Sequence, residues 1–131
     1  MKKTTLLHAE LSDVIARLGH GDLLVIADAG LPIPDGPRRI DLAVSANVPR
    51  FEDVLAAVLA EMQVESALIA DELAAANPSV HASLRHRLAD TPVTSLPHER
   101  FKAATREARA IVRTGEFSPY ANVILRAGVV F

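Results

Sequence analysis

Three ionisable side chains stand where predicted helices and strands begin or end. His20 follows the end of a helix, Asp28 follows a strand, and His98 stands at the start of another helix. Histidine is the usual proton carrier near neutral pH, and a carboxylate can orient it or accept a hydroxyl group. The pattern therefore predicts acid–base chemistry, although each residue taken alone also fits a plain role as a helix cap, a loop brace or a surface group.

Tyr120 is the single tyrosine of the chain and lies in a predicted turn, residues 118–122, that leads into a late strand. Its phenol and the amide of Asn122 can both form hydrogen bonds to a polyhydroxylated ligand. The alternative is that Tyr120 only closes the edge of the core. The turn itself does not decide between these roles.

Two continuous apolar runs predict strands that are buried on both faces. They are Leu23–Ala27, which places Asp28 at the carboxyl end of a strand, and Val64–Ala70. Shorter candidates cover residues 40–44, 93–95, 123–125 and 129–131. Residues 29–37 contain three prolines and two glycines and predict an ordered loop.

Apolar residues at helical spacing predict the helices between these strands. One ends at Gly19 as a left-handed cap, another runs from Phe51 to Met62, and a third contains Leu84 and Leu88. A last helix begins with Pro97 as its first residue and continues to Gly115. The alternation indicates an α/β class and one layered domain over residues 1–131, with short, largely parallel strands and helices packed on the sheet. Ligands of such sheets bind beyond the carboxyl ends of strands, where Asp28 is expected.

The composition and the motifs of the chain exclude or disfavour several functional classes. The chain has no cysteine, so disulfides, thiolate nucleophiles and zinc ribbons are excluded, and its net charge of −2 does not favour nucleic acid. It has neither a GxGxxG fingerprint nor a Walker loop, and His81 and His86 are not at metal-binding helical spacing. No signal peptide or membrane span is predicted, and we expect a cytoplasmic protein that needs no cofactor.

Four segments together resemble the D-ribose pyranase family from one end of the chain to the other. They are GHGD (19–22), ADAGLPIPDG (27–36), HERFK (98–102) and RTGEFSPYAN (113–122). The resemblance implies a ribose pyranase-like fold and an isomerase that interconverts β-D-ribopyranose and β-D-ribofuranose, supplying the furanose to ribokinase. Related fucose mutarotases typically have Tyr-Gly-Asn where this chain has Tyr120-Ala121-Asn122, which favours D-ribose as the substrate.

The resemblance also implies roles for individual residues. It makes His20 the proton donor and places Asp28, His98, Tyr120, Ala121 and Asn122 on the sugar, with no metal. It further implies a homo-oligomer, a pentamer or a decamer, with sites between subunits. Residues 38–39 and 75–77 carry no chemistry that the sequence identifies.

Two other functions remain open from the residues themselves. The same polar groups can hold a sugar without catalysis, or His20, Asp28 and His98 can form a metal site with two histidines and one carboxylate. The residue that accepts the hydroxyl proton is also undecided, because Asp28 and His98 both qualify.

Overall fold

A mixed sheet of six strands forms the centre of the computed structural model, which describes residues 1–131. The strands are β1 (Leu23–Ala27), β2 (Arg38–Asp41), β3 (Val64–Ala70), β4 (Val93–Leu96), β5 (Ala110–Arg113) and β6 (Val123–Ala127), in the spatial order β2-β5-β1-β6-β3-β4. The helices are α1 (Ala9–Arg17), α2 (Phe51–Leu59), α3 (Leu73–Ala76), α4 (Pro78–Leu88) and α5 (His98–Ala104). None of these helices has the length and apolar character needed to cross a membrane.

Strand direction divides the molecule into two edges. β2, β5 and β1 are mutually parallel, β3 is parallel to β4, and β6 runs antiparallel to both β1 and β3. Five strands therefore point the same way, which confirms the predicted α/β class with largely parallel strands. We call the edge where these five strands end the carboxyl edge, and the edge where they begin the amino edge. β6 starts at the carboxyl edge and ends at the amino edge.

The two faces of the sheet are covered unequally. The larger core, of 23 buried residues, lies between one face and helices α1 to α4, and Phe51, Leu73 and Leu84 are fully buried in it. The smaller core, of 7 buried residues, lies on the other face, where Phe101 of α5 packs. Alternate residues of β1 enter the two cores, which explains its unbroken apolar sequence.

The helix predicted from Pro97 to Gly115 is wrong in its second half. Helix α5 ends at Ala104, a 3-10 turn covers Thr105–Glu107, and Ala108 has extended backbone angles. Residues 110–113 form β5 between β1 and β2, so the apolar side chains there fill both faces of the sheet. Pairing with β1 and β2 stabilises the extended form of these residues more than a longer helix would. This is a tertiary effect, and helical spacing in the sequence does not predict it.

Three smaller predictions also fail. Pro97 caps α5 instead of being its first residue. The left-handed glycine after α1 is Gly21, with φ of 86°, and not Gly19. Residues 129–131 form no strand, and the side chains of Val130 and Phe131 are exposed.

Candidate active site

Asp28 and Asn122 form a reciprocal pair at the carboxyl edge. The Asp28 backbone N–H donates to Asn122 Oδ1 at 2.8 Å, and Asn122 Nδ2 donates to Asp28 Oδ2 at 3.0 Å. Asp28 follows β1 and Asn122 precedes the antiparallel strand β6, so the two meet although they are 94 positions apart. The pair fixes the orientation of the carboxylate.

The second oxygen of Asp28 is held by its own loop. The backbone N–H groups of Gly30 and Leu31 donate to Oδ1 at 2.9 and 2.8 Å. Burial raises the pKa of Asp28, against the lowering effects of the Gly30, Asn122 and Leu31 hydrogen bonds and of the nearby His98 charge. The result is a carboxylate of fixed direction that is a better proton acceptor than an ordinary aspartate.

His98 and Tyr120 stand together at the same edge. Their rings are 5.0 Å apart, edge to face, and the His98 ring is also 6.3 Å from that of Phe101. The His98 backbone N–H donates to both carboxylate oxygens of Glu72, at 3.1 and 3.0 Å. Nδ1 of His98 is buried and has no hydrogen-bond partner in the chain.

The turn that carries Tyr120 has an unusual backbone. Tyr120 has φ of 58°, a left-handed conformation that is uncommon for a residue other than glycine. Ala121 and Asn122 are fully buried, and the Ala121 side chain lies in the larger core. Backbone strain of this kind persists only where the surroundings hold it.

A hydrogen-bond network of the buried residues Glu116 and Asn77 holds the turn that carries Tyr120. Glu116 accepts from the Phe51 N–H at the start of α2 (3.0 Å) and from Ser118 Oγ (2.7 Å). Asn77 Nδ2 donates to Ser118 Oγ (2.8 Å) and to the Pro119 carbonyl (2.9 Å). The network ties the turn to α2 and α4. The sequence indicated no role for residues 75–77, and the structural role of Asn77 was missed. The position of Asn77 directly before Pro78 is typical of a helix N-cap and is the signal that could have indicated it.

Replacing Asn77 by alanine should lower the free energy of unfolding by about 2 kcal/mol, because the change removes a helix cap and the two amide hydrogen bonds to Ser118 and Pro119. Asn77→Asp keeps the capping oxygen that accepts from the Val80 N–H and removes only the amide donor. Urea unfolding of both variants measures the two contributions. Equal stability of wild type and Asn77→Ala would show that the network does not hold the turn.

His20 lies away from these groups, at the amino edge. It precedes β1 whereas Asp28 follows it, and a strand of five residues spans about 17 Å. The His20 side chain is 60% exposed, and its Nε2 lies 2.7 Å from Glu65 Oε2. One chain thus brings together Asp28, His98 and the 120–122 turn, and leaves His20 apart. The same separation keeps His20, Asp28 and His98 from forming a three-residue cluster within one chain.

Comparison with known proteins agrees with the end-to-end resemblance. The family model described as the RbsD / FucU transport protein family matches residues 1–130. The chain belongs to this family. Among its curated members, the D-ribose pyranase of Symbiobacterium thermophilum is 57% identical over 131 residues, which is the full length of both chains.

Two solved structures, each of a protein in complex with a sugar, are similar to this chain to different degrees. The structure of Bacillus subtilis RbsD complexed with D-ribose matches with a TM-score of 0.97 and 46% identity, and all of each chain is covered. The fucose mutarotase of Streptococcus pneumoniae in complex with L-fucose matches with a TM-score of 0.81 and 29% identity over 95% of this chain and 94% of that one. This family member is therefore more similar to the RbsD structure than to the mutarotase.

A cavity of about 490 Å³ opens beside Asp28 in this RbsD / FucU chain. Its wall includes Gly30, Arg113 and Phe117, and it is open to solvent on one side. Arg113 Nε donates to the Ala29 carbonyl at 3.0 Å, which braces the loop after β1. The carboxyl edge thus has a carboxylate of fixed orientation at an open cavity, and the His98–Tyr120 pair stands at the same edge without lining this cavity.

Proposed function

We propose that this chain is a D-ribose pyranase, an isomerase that interconverts β-D-ribopyranose and β-D-ribofuranose without a cofactor. The observation that carries the proposal is the fixed Asp28–Asn122 pair beside His98 and Tyr120, in a chain that resembles the ribose-complexed RbsD structure over its full length. Such a group of acceptors and donors suits a sugar with many hydroxyl groups. The furanose would pass to ribokinase in the cytoplasm.

The reaction needs only two proton transfers in each half. In ring opening, the anomeric O1–H loses its proton, the bond between C1 and the ring oxygen O5 breaks, and O5 takes up a proton, which leaves the open aldehyde. In reclosure, the O4 hydroxyl attacks C1 and loses its proton, while O1 regains one. No atom is oxidised or reduced, and general acid–base catalysis contributes about 10²–10⁴-fold to such steps.

Asp28 is the best placed acceptor for the O1 proton. Its raised pKa favours proton uptake, and its bonds to Asn122 and the loop hold it in one orientation. Asn122 acts on the sugar through Asp28, because its amide oxygen accepts from the Asp28 N–H and its amide nitrogen donates to Asp28 Oδ2. His98, which stands beside Tyr120, then serves as a further hydrogen-bonding group for the sugar hydroxyls.

His20 is the proton donor to O5 in this scheme, and it comes from a second copy of the chain. The resemblance makes His20 the proton donor, and the exposed His20 side chain stands at the amino edge of its own chain, away from Asp28. A contact of one subunit's carboxyl edge with the amino edge of the next is head-to-tail, and head-to-tail contacts form a closed ring when the rotation between subunits closes. We therefore propose a cyclic homo-oligomer, a pentamer or a stacked pair of pentamers, with one site at each subunit boundary.

Exposed apolar surface is available for such a contact. Phe117, beside the Asp28 cavity, is 70% exposed and Val44 is 81% exposed. On the less covered face of the sheet, a cavity of about 230 Å³ is lined by apolar residues that include Leu23, Leu68 and Ile124. Oligomer contacts are the usual way in which a small domain removes such surface from water.

Exchange NMR on D-ribose tests the activity. Magnetisation transfer between the β-pyranose and β-furanose signals should become faster when the protein is added, with or without EDTA. Binding without faster exchange would instead establish a non-catalytic sugar-binding module. Loss of exchange in EDTA that is restored by a divalent metal would establish the metal site.

Asp28→Asn should weaken both ribose binding and exchange, because the amide loses the charge-assisted acceptor and faces the Asn122 amide donor with a donor of its own. We expect a loss of about 10-fold in affinity, as for a hydrogen bond to a charged group. Titration calorimetry measures the binding. Unchanged affinity would remove the Asp28 carboxylate from the sugar site.

The pH dependence of exchange follows from the same carboxylate. A raised pKa means that Asp28 takes up a proton at a higher pH than an ordinary aspartate, so its ionised form is lost earlier as the pH falls. The acid decline of the exchange rate should therefore have its midpoint above about pH 3.9. A rate profile from pH 3.5 to 8 checks this, and a midpoint below that value would contradict Asp28 as the acceptor.

A further inference from the structure

Glu65 joins His20 to Arg126 at the amino edge. Glu65 Oε2 lies 2.7 Å from His20 Nε2, and its other oxygen accepts from Arg126 Nε at 2.8 Å. The side chain of Glu65 is 37% exposed, that of His20 is 60% exposed and that of Arg126 is 53% exposed. Ion pairs as exposed as these contribute little to the free energy of folding, so stability does not explain their arrangement.

The backbone of β3 is irregular where it presents Glu65. Val64 pairs with Ala127 and Ser66 pairs with Arg126, so the register shifts across Glu65 and leaves this residue outside the ladder. Such bulges redirect a side chain and are frequent next to active sites. The bulge places Glu65 between His20 and Arg126.

The loop that carries His20 is anchored to the same place. The Gly21 N–H donates to the Ala127 carbonyl at 2.9 Å, at the end of β6. Gly21 has φ of 86°, and a Cβ there would lie 3.3 Å from an Arg126 guanidinium nitrogen. Glycine thus lets the loop approach Arg126 closely. Asp22, the acid of this loop, accepts a hydrogen bond from Arg109 Nε at 2.9 Å.

The charge of Glu65 is stable near neutral pH. Its hydrogen bond with His20 is the largest cause that lowers the pKa of Glu65. Burial acts in the opposite direction, and the charges of His20 and Arg126 and the Arg126 hydrogen bond lower the pKa further. A permanently ionised acceptor favours the charged form of an imidazole that donates to it. The groups that face His20 are therefore the Glu65 carboxylate from β3 and the Arg126 guanidinium from β6, with the Asp22–Arg109 pair beside them.

We propose that Glu65 is a positioning residue for His20. It holds Nε2 of the imidazole, so that Nδ1 faces the sugar in the neighbouring subunit, and its carboxylate lies 2.7 Å from the ring that delivers the proton. The inference rests on the proposed isomerase activity. In opening, the Nδ1–H bond breaks as O5–H forms; in reclosure, Nδ1 takes the proton of the O4 hydroxyl while protonated Asp28 returns its proton to O1.

The test compares Glu65→Gln and Glu65→Asp with wild type in ribose exchange, ribose affinity, thermal stability and pH profile. In Glu65→Gln we expect exchange to fall about 5-fold or more while ribose affinity stays within about 2-fold and stability is unchanged. The alkaline decline of the exchange rate should begin at a lower pH, because the amide carries no charge. Glu65→Asp keeps the charge and should restore the wild-type pH profile.

Asp13→Asn is the matched control. Asp13 is an exposed acid on α1 that also bridges two basic groups, Arg17 at 2.8 Å and Arg38 at 3.1 Å, but it forms no hydrogen bond or ion pair with the groups around His20. Its replacement should leave exchange unchanged. Wild-type rate and pH profile in Glu65→Gln would overturn the inference alone, as would a parallel loss of stability and ribose affinity. Absence of exchange in the wild type would overturn the isomerase activity together with it.

Discussion

The His20→Ala protein will fold and bind D-ribose but will accelerate ring exchange at least about 100-fold less than wild type, which is the scale of a lost general acid. The imidazole is 60% exposed and its one hydrogen bond is to Glu65, which keeps Arg126 as a partner after the change. Circular dichroism and calorimetry should therefore report an unchanged fold and ribose affinity, while exchange NMR reports the loss.

His86→Ala is the control for this prediction. His86 is an exposed histidine on α4, and its removal changes composition and charge in the same way as the removal of His20. We expect its exchange rate to equal that of wild type. Exchange near the wild-type rate in His20→Ala would remove His20 from the role of acid.

Mixing two inactive variants should restore activity. If each site takes His20 from one subunit and the Asn122 turn from the next, a random ring of equal His20→Ala and Asn122→Ala subunits has about one quarter of its sites intact. Exchange should then recover to about a quarter of the wild-type rate. The subunits must be unfolded together and reassembled, with mixed rings verified by native mass spectrometry.

Each parent variant treated alone is the control for the mixture. Verified mixed rings that show no more exchange than the parents would mean that each site belongs to one subunit. A monomer by light scattering would contradict the composite site and the ring together. Asn122→Ala removes a fully buried side chain that pairs with Asp28, so its folding is checked before mixing.

The two strands with continuous apolar sequences were predicted with the bounds that the structure shows. β1 and β3 are Leu23–Ala27 and Val64–Ala70 in both sequence and structure, because a short continuous apolar run leaves few alternatives to burial on two faces of a sheet. Helix α2 was also predicted from its apolar spacing, with an end beyond the observed Leu59. β5 was missed because its four residues continue a helical spacing, and only its neighbours β1 and β2 make the extended form better.

The candidate site was predicted as a set of residues and not as an arrangement. Its members were recognisable from residue type, from their positions at element ends and from the resemblance. Asn77 and Glu116 were missed, because their importance comes from hydrogen bonds to Ser118, which is 41 positions from Asn77, and to Phe51, which is 65 positions from Glu116. No local pattern predicts pairs at such separations.

The sequence by itself determined the α/β class, the buried strands and the types of group that can do acid–base chemistry, since these depend on local hydrophobic pattern and side-chain identity. Only the tertiary structure decided which groups meet. The antiparallel insertion of β6 beside β1 brings Asn122 to Asp28, and the direction of β1 places His20 at the opposite edge. Strand order and direction result from packing of the whole chain, so the separation of His20 from its predicted partners became visible only in the fold.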